Sequence, residues 1–242
     1  MKKTLLSISI LATVLVAGCS GSNSDEFEDA NGNAVARYIR TLNASSTDGP
    51  ETIVFNYDAS GKVISVENGS ESSALVYENN NLTNITGDGD VFAIAELYQA
   101  PYQAYDVGEV LNYDSKGNPV MLRLFEEDYN GNIEEYRAEV TYDNKPFFGY
   151  HTLKAAGVID VLDRVELNLN MQSLPEEIVR AKTMLPVNNT TKVVVKNLQG
   201  QIVSTVLTSY AYNADNYPIS ATMVVTDDSG ETSTETFNFT YR

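Results

Sequence analysis

The sequence predicts a mainly β protein: a long antiparallel meander curled into an open or nearly closed barrel, with one main helix. Three observations predict it. Apolar and polar residues alternate along most of the chain, so each strand turns one face to a core and the other to water. Closely similar turn sequences recur between the alternating stretches. The composition suits a pleated, half-buried surface, with 15 Tyr, 8 Phe and no Trp in 242 residues. The curl follows from strand number, because so many strands in one sheet twist until they close or split into two layers. A two-sheet β sandwich is the alternative architecture.

Residues 1–18 read as a secretory signal. Met1-Lys2-Lys3 is a basic head, and an apolar run from Leu5 to Ala17 follows, interrupted only by small hydroxyl residues. The run is too short for a permanent transmembrane helix, which needs about 20 residues. It ends Leu15-Val16-Ala17-Gly18-Cys19, and Cys19 is the only cysteine of the chain, so no intramolecular disulfide can form. This ending resembles the lipobox of bacterial lipoproteins. The resemblance implies a diacylglyceryl group on the Cys19 sulfur, cleavage after Gly18 and acylation of the new N-terminus. Two or more acyl chains suffice for stable membrane anchoring. Ser20, in place of Asp after the cysteine, implies by the same likeness the outer membrane, on its periplasmic side or at the cell surface.

Residues 19–34 are small, polar and acidic, with Phe27 as their one aromatic. Such a stretch buries little apolar surface, and it reads as a flexible tether. The rest, 35–242, is expected to be a single antiparallel β domain. The formal net charge of −17 argues against nucleic acid and anionic lipid surfaces as partners.

Within that domain, Tyr136, Ala138, Val140 and Tyr142 share one face of a strand, opposite Glu135, Arg137, Glu139 and Thr141. Phe237, Phe239 and Tyr241 oppose Thr236, Asn238 and Thr240, and Ile219, Ala221, Met223 and Val225 form another such face. The turns Tyr57-Asp58-Ala59-Ser60-Gly61, Tyr113-Asp114-Ser115-Lys116-Gly117 and Tyr212-Asn213-Ala214-Asp215-Asn216 share one order, and Tyr77-Glu78-Asn79-Asn80 is a shorter version. An Asp or Asn side chain can accept from backbone N–H groups two residues on, and Gly or Asn accepts positive φ. One segment departs from the β pattern. Ser173 and Glu176 form a capping box, Leu174, Ile178, Ala181 and Leu185 share a helical face, and Pro186 ends it, so a helix is expected near 174–185. Lys154 to Asn168 fits either a helix or a strand.

The Tyr-Asp turns resemble degenerate Rhs-type Tyr-Asp repeats, and the chain has too few of them to enclose a cargo. From about residue 50 to 242 the chain also resembles a family of secreted bacterial lipoproteins of unknown function with a porin-like β fold. The residues carrying that likeness are the turns above, Tyr142-Asp143-Asn144-Lys145-Pro146-Phe147 and Asn188-Asn189-Thr190-Thr191-Lys192. The resemblance implies a fold and an envelope location, and brings no catalytic residue.

Candidate sites are few. His151 is the sole histidine, and alone it builds neither a triad nor a zinc site; it reads as structural. The acidic pairs Glu126-Glu127, Glu134-Glu135 and Asp227-Asp228 read as solvated strand faces and turns, because nothing in the sequence selects the spaced carboxylate pair a glycosidase needs. The oxygen-rich loops Gly87-Asp88-Gly89-Asp90 and Asp128-Tyr129-Asn130-Gly131-Asn132 lack EF-hand spacing and read as hairpins. No metal and no cofactor is expected. Tyr98, Tyr102 and Tyr105, set among Gln99, Pro101 and Gln103, form an aromatic, uncharged segment able to stack on a ligand. The functional expectation is a non-enzymatic, outer-membrane-anchored lipoprotein that binds a glycan, lipid or apolar small molecule on the concave face of the sheet. Its rivals are a structural or adhesion protein docking a protein partner, and a carboxylate-dependent hydrolase.

Overall fold

The computed structural model describes residues 22–47, 49–69, 71–95, 108–127, 131–163, 166–168, 178–180 and 185–242. In chain order these form α1 (Asn23–Asn31), β1 (Ile39–Ser46), β2 (Gly49–Tyr57), β3 (Val63–Asn68), β4 (Glu71–Glu78), β5 (Asn81–Gly87) and β6 (Asp90–Ala93). Then come β7 (Gly108–Tyr113), β8 (Pro119–Glu127), β9 (Ile133–Pro146), α2 (Tyr150–Ala155), α3 (Val158–Leu162), β10 (Glu166–Asn168) and β11 (Ile178–Arg180). The last four are β12 (Asn188–Asn197), β13 (Ile202–Tyr212), β14 (Pro218–Asp227) and β15 (Thr232–Tyr241).

All strands except β10 and β11 build one 13-stranded antiparallel meander, ordered β6-β5-β4-β3-β2-β1-β15-β14-β13-β12-β9-β8-β7. The two termini of the β region meet inside it, where Leu42 on β1 pairs with Phe239 on β15. The sheet is open, with β6 and β7 at its edges, and it is not a sandwich. The meander is broken twice: β6 and the next strand, β7, lie at opposite edges of the sheet, and between β9 and β12, which pair directly, the chain leaves the sheet to form α2, α3 and the β10–β11 ladder.

The recurrent turns are built alike. Asp58 Oδ1 accepts from the N–H groups of Ser60 (2.8 Å) and Lys62 (3.0 Å). Asp114 does the same for Lys116 and Asn118, Asn197 for Gln199 and Gln201, Asn213 for Asp215 and Tyr217, and Asp227 for Ser229 and Glu231. In each, the fourth residue has positive φ: +93° at Gly61 and Gly117, 66° at Asn216. A carboxylate is not required, since an amide oxygen serves at two of the five.

Next to these turns the ladder carries a bulge, between Asn56 and Tyr57 and between Ala211 and Tyr212. A bulge adds one residue to one strand and shifts its phase. That corrects one expectation. Ile219 does not share the buried face of Ala221: it is 50% exposed, and Pro218 is buried instead. The same shift buries Val63 and exposes Ile64. The other alternations hold, with Phe237, Phe239, Ala221 and Ala138 buried and Thr236, Asn238, Thr240, Arg137 and Glu139 exposed.

Tyrosines at the same end fasten strands together. Tyr77 Oη donates to the Val63 carbonyl (2.6 Å), Tyr142 Oη to Pro119 (2.7 Å) and Tyr241 Oη to Pro218 (2.8 Å). Each carbonyl belongs to the first residue of a strand that leaves a Tyr-Asp or Tyr-Asn turn. Tyr77 also reaches the Ala156 carbonyl beside α2 (3.1 Å), so the helices sit at this end. Gly157, with φ +74°, makes the corner between α2 and α3, and a Cβ there would meet Leu82 at 3.2 Å.

Two further expectations are corrected. Residues 19–34 do not read as a flexible tether over Asn23–Asn31, which form α1. Ser22 Oγ caps it by accepting from the Asp25 N–H (3.0 Å). Asn23 donates to Asp163 Oδ1 through its backbone (2.6 Å) and side chain (2.8 Å). Phe27 is 3% exposed and stacks on Tyr150 at 3.6 Å between ring centroids. One aromatic in the right place buries the helix that its composition argued against. The helix expected near 174–185 is also not what forms at Ile178–Arg180, which pair as a strand with Glu166–Asn168. The β-branched Ile178 and Val179 favour a ladder, and the remainder of that stretch, apart from Leu185, lies outside the described residues. Lys154 to Asn168 resolves into both alternatives, the end of α2, then α3, then β10.

Candidate functional site

The inner face of the sheet, where α2 packs, holds an apolar cavity of about 340 Å³. Its floor is made by strand residues that the register places on one face: Leu42 pairs with Phe239, Tyr210 with Ala221, and Ala221 with Phe237. Val193, Val206 and Met223 extend the floor. The opposite wall comes from the segment leading into α2 and from its return, through Phe147, Phe148, Leu153 and Leu185. Phe148 meets Phe239 edge-on at 5.0 Å, which closes one side.

That wall is held by a buried polar network. The Phe147 N–H donates to the Val187 carbonyl (3.0 Å), and the Phe148 N–H to Asn189 Oδ1 (3.0 Å). Asn118 Oδ1 accepts from Val187 and Asn188, both at 3.0 Å, and Asn118 Nδ2 donates to Asn188 Oδ1 (3.0 Å). Asn118, Asn188 and Asn189 are at most 1% exposed. Buried amides require such partners, so these residues lock the insertion to the sheet.

Few polar groups reach the cavity, and at least two have partners within the chain. Thr152 Oγ1 accepts from the Ile39 N–H (2.8 Å), and Tyr210 Oη donates to the Thr190 carbonyl (2.9 Å). Burial, and then the nearby Asp143 carboxylate, push the Tyr210 hydroxyl above its ordinary pKa, so it stays protonated and uncharged. Among the described residues no acid, lysine, arginine or histidine belongs to the lining. The surface can hold an apolar body and presents no nucleophile–base pair to it.

Of the candidate site residues singled out in the sequence, the described ones do not line the cavity. Cys19, Tyr98, Tyr102 and Tyr105 lie outside the described residues. His151 stands in an aromatic setting at the helix end, with Phe27 at 5.5 Å, Tyr150 at 5.2 Å and Tyr217 at 6.4 Å. Its Nε2 is buried without a hydrogen bond. Burial, with a smaller contribution from Lys154, lowers its pKa, which favours the neutral ring. Glu134 and Glu135 fall on opposite faces, and Glu126 pairs across the ladder with Glu134. Gly87–Asp90 is a tight hairpin turn with Asp88 and Gly89 at positive φ. Among the described residues no three His, Cys, Asp or Glu side chains gather to hold a metal. The floor of the cavity was visible as alternating strand faces; its wall was not, because Phe147, Phe148, Leu153 and Leu185 converge only through the insertion.

No family model matches the chain, and no curated protein matches it. Among solved structures it is similar to a porin-like protein from Bacteroides vulgatus, at 11% identity and a TM-score of 0.42, covering 86% of this chain and 99% of that one. A porin-like protein from Bacteroides uniformis matches at 13% identity and a TM-score of 0.41, over 84% of this chain and 98% of that one. A domain described as an outer membrane lipoprotein-sorting protein from Vibrio parahaemolyticus matches at 11% identity and a TM-score of 0.27, over 90% of each chain.

Proposed function

We propose that this chain is a lipid-anchored envelope protein that holds an apolar ligand reversibly, without chemical turnover, on the inner face of its sheet. The observation that carries the reading is the cavity of about 340 Å³, at the lower end of the roughly 300–1,000 Å³ range of ligand sites. Its described lining is mostly aromatic and aliphatic, its hydroxyls are those of Thr152, Thr190, Thr208 and Tyr210, and those of Thr152 and Tyr210 are already bonded to the chain's own backbone. A sugar ring needs several free polar partners; an acyl chain or other hydrocarbon needs none. An apolar molecule is therefore favoured over a glycan. Hydrolysis by paired carboxylates is disfavoured, because among the described residues no carboxylate lines the cavity. The membrane attachment rests on the lipobox at Cys19 and, with it, the outer-membrane location.

The test is organic extraction of protein purified from its native host, followed by mass spectrometry. An apolar molecule recovered near one per chain, and absent from an Ala221→Trp variant whose indole fills the cavity, supports the reading. A chain that carries nothing and leaves an environment-sensitive apolar dye unbound refutes it. Anchoring is tested separately by the mass of the N-terminal peptide, which carries acyl groups in the wild type and none after Cys19→Ser.

A further inference from the structure

The four hydroxyls of the cavity are not equivalent. Thr152 Oγ1 accepts from the Ile39 N–H (2.8 Å) and Tyr210 Oη donates to the Thr190 carbonyl (2.9 Å). The Thr190 hydroxyl bonds the Tyr142 hydroxyl. Thr208 is the exception: among the described residues its hydroxyl has no hydrogen-bond partner. Strand register places it at one end of the cavity floor. Thr208 pairs with Met223 and Tyr210 with Ala221, which in turn pairs with Phe237. The wall is fastened at the other end, where Asn189 accepts from the Phe148 N–H (3.0 Å) and donates to Tyr212 Oη (3.3 Å). Four residues of strand, about 13 Å, separate Tyr212 from Thr208. Exposure follows the same axis. Ala221, Phe237 and Phe239 are buried, whereas Thr208 and Met223 are half-buried. The cavity therefore has an apolar inner end, where Phe148 meets Phe239, and an unengaged hydroxyl at its outer end.

We propose that the cavity takes one uncharged, single-chain amphiphile of the fatty-alcohol type, with its head on Thr208 and its tail against Phe148 and Phe239. This rests on the apolar-ligand reading above and names the ligand class. Volume sets the length. An apolar cavity of about 150 Å³ holds benzene, so about 340 Å³ has room for roughly twice as many carbons, about ten to twelve. A second chain of that length has no space. The lining sets the charge. Among the described residues no lysine, arginine or carboxylate stands there to neutralise an ionic head, and an ion taken from water without a partner is costly. Thr208 sets the orientation. A threonine hydroxyl both donates and accepts, so it pairs with a terminal hydroxyl, and a head placed there leaves the buried end to the hydrocarbon.

The experiment uses the secreted chain with Cys19→Ser, which stays free of detergent, and displacement of an uncharged apolar dye. The titrants are straight-chain alcohols from hexanol to hexadecanol, decanoate at pH 8, and dioctanoylglycerol as a two-chain lipid. Affinity is expected to rise about fourfold per methylene and to level off at about ten to twelve carbons. Decanoate should bind at least about tenfold more weakly than decanol, because its charge has no partner. Dioctanoylglycerol should bind no tighter than octanol. Thr208→Val keeps the shape of the side chain and removes its hydroxyl. It should weaken decanol about two- to tenfold, the worth of one hydrogen bond, and leave dye binding intact. Thr208→Ser should retain the affinity of the wild type for decanol. Affinity that keeps rising to hexadecanol, or a two-chain lipid that binds tighter than octanol, overturns the single short chain. Equal binding of decanoate and decanol overturns the uncharged head, and decanol binding unchanged in Thr208→Val overturns the anchor; in all these outcomes the cavity reading stands. Failure of every titrant and of the dye overturns the cavity reading itself.

Discussion

One side-chain oxygen organises each long turn, and whether it belongs to an acid or an amide decides how the turn answers to pH. Asp58 and Asn213 make the same two backbone bonds. Hydrogen bonds from Ser60 and the backbone of Lys62 hold the Asp58 carboxyl below its ordinary pKa. A depressed folded-state value means stability present above the unfolded pKa, near 3.9, and lost as pH falls through the folded one. Asp58→Asn is therefore expected to leave the melting temperature at pH 7 almost unchanged and to flatten its decline below pH 4. Asp58→Ala should lower it at every pH. His151 follows the same sign at a different pH. Its pKa is lowered, chiefly by burial, so the neutral ring is favoured in the folded chain. Stability should fall as pH drops below about 6.5, the unfolded value. Thermal melts of the wild type between pH 8 and 5 check this, and His151→Phe, which keeps an aromatic against Phe27, should remove the dependence. A variant that still loses stability over that interval would show that other groups carry it.

Helix α1 shows how far an element can be read from its composition. Its acidic, polar sequence has one large apolar residue, and the rules for disorder weigh the average, whereas docking depends on the single contact. Phe27 stacks on Tyr150, Asn23 and Ser24 bond Asp163, and Asn31 Nδ2 donates to the Val187 carbonyl at 2.8 Å. None of those partners is near in sequence. Phe27→Ala removes a buried ring and is expected to cost about 3 kcal/mol. It should also raise amide exchange across Asn23–Asn31 selectively, as the helix undocks; unchanged exchange there would mean that the polar contacts alone hold it. The strands were far more legible. Alternation and turn chemistry are local, so the faces of β9 and β15 and the Tyr-Asp hairpins could be assigned directly. What could not be read was the phase shift at the bulges, which exposes Ile219, or the short strand at Ile178–Arg180, whose partner lies ten residues upstream.

Over the whole molecule, the tyrosines and the cavity set opposing demands. Burial pushes the Tyr77 hydroxyl up to about 12, with a smaller contribution from Asp58, and burial first of all raises Tyr217 to about 12. Raised folded-state values mean stability that is whole below the unfolded pKa, about 10, and lost as pH rises through the folded values. Circular dichroism should therefore report a steep loss of the sheet between about pH 10 and 12. The cavity works the other way, because an unfilled space in an otherwise interlocked core costs stability. Ala221 is the place to test it. It is 4% exposed, lies between Tyr210 and Phe237 in the ladder, and its side chain is the smallest on the cavity floor. Ala221→Leu would extend into the space without disturbing the outer face. Filling a cavity commonly adds about 0.5–2 kcal/mol, so the variant should melt at a higher temperature. If the space serves a ligand, dye binding should fall at least tenfold in the same variant, and the two effects should have opposite signs for function and stability. If the space is only a packing defect, stability should rise and any dye binding persist. A cost to stability would instead mean that Phe148 and Phe239 already meet closely enough to leave no usable room, and the reading of an apolar ligand site would fail with it.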